Sequence, residues 1–236
     1  MILSSMTHAE VADAIRRDFS SVFPKCLEAA RRFGSAVKRT RGTGVFPFSR
    51  TYFIESRNKL RFAVTFVALK RSDWDVPQTI TRTSFHYRGA FFAALVSDKD
   101  RIIIFTQHFF ERYRDRILGS AGAGMSLAQV QDAFFNQNED VLWEECTPAF
   151  ARAAERYDGE DGTPQLVGRF SQGNVFAQKV DGRTVLVRTI LSDEMLHEDQ
   201  DEAFSKIEGM RRMVGRLSSA EDKQRARRFV KAMSNH

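Results

Sequence analysis

His108, Arg112 and Arg116 recur at four-residue spacing in the run His108-Phe109-Phe110-Glu111-Arg112-Tyr113-Arg114-Asp115-Arg116. On a helix, positions i, i+4 and i+8 form one slowly drifting stripe, so the three side chains project in nearly the same direction. Thr106 is a suitable N-cap. It would place the imidazole in the first turn, where the partial positive charge of the helix favours the neutral form that acts as a base. Two guanidiniums, one and two turns along, would offer forked donors to a phosphate and to charge developing on it. Imidazole and guanidinium together suit metal-free RNA cleavage, in which a deprotonated 2′-hydroxyl attacks the adjacent phosphorus.

The same spacing also suits a solvated helix face, with Glu111 and Asp115 pairing with Arg112, Arg114 or Arg116. Arg114 and the C-terminal run holding Lys223, Arg225, Arg227 and Arg228 are the candidate nucleic-acid contacts, although such a run also serves as the polar side of a packed helix. Trp74 follows Lys70 and Arg71 and has a face for stacking on a base. Asp73 and Asp75 flank it, however, and would repel a backbone phosphate, which favours a loop aromatic covering the core. His86 reads as a strand residue and His197 as a turn residue. No P-loop, dinucleotide fingerprint, GxSxG or HExxH is present, so no cofactor is expected. Cys26 and Cys146 lie far apart with no Cys/His cluster around them, so no metal is expected either.

The elements that must position the stripe follow from periodicity and punctuation. Residues 1–47 read as a helical segment. A capping box of Thr7 and Glu10 opens a helix through Val11, Ile15, Phe19 and Val22, and Pro24 divides it from a second helix reaching about Lys38, with Leu27, Ala30, Gly34 and Val37 inward. Residues 48–100 read as an antiparallel meander with strands near 51–55, 60–69, 84–87 and 90–96. A strand at 101–105 feeds the His108 helix, and Ser126 with Gln129 caps the next. Residues 138–162 carry eight carboxylates against Arg152 and Arg156 and read as an acidic insertion, helical from about 142 to 157. Strands at 165–170, 175–180 and 184–191 follow, the last two joined by Asp181-Gly182. Residues 198–236 return to helix and end strongly basic. The class expected is α+β: antiparallel sheet with helices packed on one side and helical N- and C-terminal segments.

The run from His108 to Arg116, a second helix from Ser126, and late hairpins ending in Val187-Arg188-Thr189-Ile190 resemble the BrnT-type ribonuclease toxins and a related small domain marked by His-x-x-Glu-Arg-x-x-x-Arg. Those domains are similar to the RelE-like endoribonuclease fold. The resemblance covers residues 101–197. It implies His108, Arg112 and Arg116 in an active cleft, Thr189 as a hydroxyl on a late strand, RNA as substrate and a neutralising protein partner. The acidic insertion, the first 100 residues and the last 40 fall outside it.

Composition bounds the alternatives. The 236 residues are 42% hydrophobic with 21 phenylalanines, which supports a packed core. No apolar run reaches the length of a membrane span, and the N-terminus lacks the pattern of a signal peptide, so a cytoplasmic protein is expected. The formal net charge of +6 favours polyanionic partners. Two functions fit: a metal-independent endoribonuclease, or a non-catalytic protein that binds nucleic acid or protein with the same fold.

Overall fold

The computed structural model describes residues 2–40, 45–97, 101–138, 142–158, 164–170 and 172–197, with positions 205, 208 and 209. The chain divides into two compact units, one built on Met1–Phe85 and Ala94–Ile102, the other on His86–Ala93 and Ile103–Arg216. The first unit opens with α1 (His8–Arg39), whose capping box is formed as expected: the Glu10 amide donates to Thr7 Oγ1 at 3.3 Å and the Thr7 amide to Glu10 Oε2 at 2.7 Å. The Thr7 amide holds the Glu10 carboxyl below its ordinary range.

Pro24 does not divide this segment; α1 runs through it as one helix. A proline there removes a backbone hydrogen bond. The helix continues because Val11, Ile15, Val22, Cys26, Phe33 and Val37 on both sides of Pro24 share one buried face. Leu27 and Ala30, expected inward, are only half-buried, and Cys26 and Ala29 take their place.

That buried face lies on β1 (Phe48–Glu55) and β2 (Arg61–Ala68), which with β3 (Gln78–Tyr87) pair antiparallel, Phe53 opposite Ala63 and Ala63 opposite Arg82. Phe19 meets Phe62 at 5.5 Å between ring centroids and Phe33 meets Phe66 at 5.6 Å, so α1 covers one side of the β1–β2 pair. Buried Asp18 fastens the helix to the β1–β2 turn by accepting from Ser56 Oγ at 3.1 Å and Asn58 Nδ2 at 2.6 Å. β3 begins six residues earlier than the sequence pattern suggested, because Gln78 to Thr83 pair with β2.

β4 (Ala90–Val96) contributes residues to both units and follows a two-residue turn in which Arg88 and Gly89 have φ of 52° and 77°. Positive φ at both central positions gives the twist that antiparallel strands require. In the second unit the strand order is β5 (Ile102–Phe105), β9 (Thr184–Leu191), β8 (Gly173–Asp181), β7 (Leu166–Phe170) and β6 (Leu142–Glu145). The pairings β6–β7, β7–β8 and β8–β9 are antiparallel.

Residues 142–145, expected in a helix, are therefore a strand. Leu142 pairs with Arg169 and Glu145 with Leu166, and Lys179 Nζ is ion-paired with Glu145. The helix of this acidic stretch is α4 (Pro148–Asp158), whose Phe150, Ala153 and Ala154 pack on Val167, Phe176 and Leu191. The described part of the stretch is thus built into sheet and core rather than laid over them. The α+β class is as expected. Packing of helices on one side holds for α1, whereas β7 is covered on both faces: α4 on Val167, and an aromatic cluster on Phe170. Among the described residues no helix is long and apolar enough to cross a membrane.

Candidate active site

The His108 stripe lies on α2 (Gln107–Tyr113). Seven residues are too few to hold a helix by propensity, so packing must hold it. Phe109, Phe110 and Tyr113 are fully buried against Phe105 and Phe134, with Phe109 4.9 Å and Tyr113 5.2 Å from the Phe134 ring centroid. Burying each of these rings contributes on the order of 2–3 kcal/mol. Thr106 caps the helix as expected, its Oγ1 accepting from the Phe109 amide at 3.2 Å. At its far end Tyr113 donates its hydroxyl to Gln172, which also accepts from Asn138 Nδ2 at 2.9 Å. Burial pushes the Tyr113 phenol up, against the opposing pull of its contacts with Asn138 and Gln172.

His108 sits on the outer side of this anchored helix with its side chain 37% exposed. Arg112 Nε donates to its Nε2 at 3.2 Å, and Glu111 Oε2 stands 3.9 Å from its Nδ1. Glu111 is held in turn by Gln107 Nε2 at 2.9 Å, and Gln107 Oε1 accepts from the Phe91 amide at 2.9 Å. The imidazole therefore stands between a guanidinium and a carboxylate, with the carboxylate tethered to the backbone of β4. A proton taken up by this imidazole would have a counter-ion within ion-pairing distance.

The stripe does not continue unchanged to Arg116. After Tyr113 the backbone widens into a π-helical turn, Arg114–Leu118, so Arg116 leaves the α-helical spacing. Such turns are rare and recur at functional sites. Arg116 Nη1 donates to Thr189 Oγ1 at 3.0 Å and to the Ile190 carbonyl at 3.1 Å. The Thr106 amide donates to the Val187 carbonyl just where β5 ends, and Ile190 lies three residues farther along β9. Arg116 thus ties the π-helical turn to the last residues of β9.

Arg116 and Thr189 are accordingly brought together, as are His108 and Arg112. Thr189 is 4% exposed, which makes its hydroxyl a buried partner of Arg116. Arg114 turns to Asp115, its Nε 3.2 Å from the carboxylate. Lys223, Arg225, Arg227 and Arg228 lie outside the described residues. Trp74 is 40% exposed with Lys38 Nζ 3.2 Å from its ring centroid, so a cation of α1 already occupies one ring face.

Sequence reasoning missed a polar cluster on three adjacent segments. Arg169 in β7 is 5% exposed and forms a two-pronged ion pair with Asp193, the first residue of α5 (Asp193–His197), one arm being Nη2 to Oδ2 at 3.0 Å. Fully buried Asn174 donates Nδ2 to Asp193 Oδ1 at 3.0 Å. The signal was present in Leu166-Val167-Gly168-Arg169-Phe170, since an arginine inside an apolar strand needs a buried partner.

Compared with protein-family models, with curated proteins and with solved structures, the chain matches none.

Proposed function

We propose that the protein is a metal-independent endoribonuclease acting on RNA phosphodiesters. The observation that carries this is the imidazole of His108 held between Arg112 and Glu111 on the exposed side of a helix whose other side is locked in the core. In this mechanism a 2′-hydroxyl displaces Arg112 as the donor to His108 Nε2. His108 takes the hydroxyl proton as the 2′-oxygen bonds to phosphorus and the P–O5′ bond breaks, the departing 5′-oxygen takes a proton from water, and Glu111 stabilises the resulting imidazolium. The freed Arg112 guanidinium moves onto the phosphate and neutralises charge developing on its oxygens. Arg116 ties the turn that follows α2 to β9 through Thr189 and Ile190.

The site would be tested by incubating a labelled RNA pool with the wild type and with His108→Ala and Arg112→Ala variants in excess EDTA. Loss of a general base lowers rates by about 10²–10⁴-fold, so cleavage should fall by that order in His108→Ala with folding intact. Cleavage unaffected by either substitution would overturn the assignment.

One observation favours a second reading. Arg116 is spent on the β9 backbone and Thr189 is buried, which suits a structural rivet. A non-catalytic protein that binds nucleic acid or protein through the same surface would keep these contacts and need no accessible base. Binding of RNA without cleavage would support it.

A further inference from the structure

α1 packs on the side of the β1–β2 pair that carries Phe62 and Phe66, and the other side of β1, β2 and β3 shows a different pattern. Strand register places Phe53, Ala63 and Arg82 in one row across it, Thr51, Thr65 and Ile80 in the next, and Glu55 opposite Arg61 at the end. Phe53 is 61% exposed, the highest value among the large hydrophobic side chains described as exposed. The Arg61 guanidinium, itself exposed, stacks over its ring at 4.1 Å from the centroid. Thr51 and Thr65 share a hydroxyl hydrogen bond of 2.8 Å beside it. Glu55, the one carboxylate in these rows, is ion-paired with Lys59 at 3.1 Å.

What sets this exposed aromatic apart from an ordinary surface side chain is its company of arginine and threonine on the same strand rows. A dimer interface has an apolar core depleted in charged residues, and these rows hold one large exposed apolar side chain beside two arginines. A bilayer surface would require several insertable groups. A ring and a planar guanidinium flanked by hydroxyls suit unpaired bases, which stack on aromatics and arginines, and a phosphate backbone, which takes cationic and hydroxyl donors. Bases within a duplex are already stacked and give the ring nothing to bind.

We propose that this face of β1, β2 and β3, which carries Phe53 exposed among the described residues, is a platform for single-stranded RNA, with Phe53 stacking on a base, Arg61 backing or sandwiching that base, and half-buried Arg82 exchanging its present partner for a phosphate. The choice of RNA over DNA rests on the ribonuclease proposal; the platform itself rests on the strand register and the exposure of Phe53.

The test is fluorescence anisotropy of a short labelled oligouridylate with the full chain, in a His108→Ala background that prevents cleavage, comparing Phe53→Ala, Phe53→Trp and Arg82→Gln. Phe53→Ala should weaken binding by about 5- to 100-fold, the range that base–aromatic stacking provides, and Phe53→Trp should restore it. Arg82→Gln should make the logarithmic salt slope shallower by about 0.7, the loss of one single-strand phosphate contact. A matched duplex should compete poorly. Absence of binding, affinity unchanged in Phe53→Ala, or equal competition by the duplex would overturn the platform. So would a dimer seen in sedimentation that Phe53→Ala abolishes, which would assign the face to a second copy. Phe53-dependent binding by a wild type that does not cleave would keep the platform and reject the ribonuclease. His108-dependent cleavage with Phe53-independent binding would do the reverse.

Discussion

Single side chains carry the chemistry, and their surroundings decide which of them react. Cys26 is buried in α1, where burial pushes its thiol up to about 11, whereas Cys146 is half-buried. An alkylating reagent near pH 8.5 should therefore modify Cys146 well before Cys26, because the thiolate is the reactive form. Mass spectrometry of peptides from a time course reads this directly, and equal rates would show Cys26 to be accessible. The same shift has a stability consequence. A buried thiol that resists ionisation contributes stability that is intact below its ordinary value of 9.0 and is lost as pH rises toward about 11. Replacing Cys26 by Ala should remove that alkaline decline in thermal melts, over and above its cavity cost. The contact of His108 with Arg112 was legible at this scale from residue type and spacing alone, whereas the π-helical turn that takes Arg116 off the stripe was not. The Glu111–Gln107–Phe91 tether was not, because it joins the helix to a strand whose neighbour no local pattern reveals.

Among the elements, those with a strong period were legible and those set by partners were not. The caps at Thr7, Thr106 and Ser126 stand where side-chain chemistry puts them. Pro24 misled because its local cost is outweighed by a buried face that extends on both sides of it. Residues 142–145 were read as helix because Leu-Trp-Glu-Glu has no alternation beyond four residues, and only pairing with β7 makes it a strand. Arg116 belongs to this scale too, since it secures the end of β9. Arg116→Ala leaves the Ile190 carbonyl and the Thr189 hydroxyl without that donor and should cost about 1–3 kcal/mol in urea unfolding. An undiminished unfolding midpoint would return Arg116 to a purely chemical role. Arg169→Met removes the charged partner of the Asp193 carboxylate and should cost about 3–5 kcal/mol, whereas the double change Arg169→Met with Asp193→Leu should recover much of it. Equal loss in the single and double variants would show that the ion pair is not the cause.

The whole molecule combines a net charge of +6 with two compact units, and the two proposals place one RNA surface on each. Net charge favours a polyanionic partner without locating a surface for one; the strand register that assembles Phe53, Arg61 and Arg82 required the fold. The α+β class was legible because strand and helix periods occupy separate stretches of the chain, while the division into two units cuts through β4 and leaves no mark in composition. The most direct test of the central claim is the chemistry of the ends produced when the wild-type protein cuts RNA in excess EDTA. Attack by the 2′-hydroxyl leaves a 2′,3′-cyclic phosphate and a 5′-hydroxyl, and these ends should appear with the wild type and vanish with His108→Ala. Intact RNA after prolonged incubation, or 5′-phosphate ends that persist without His108, would contradict it.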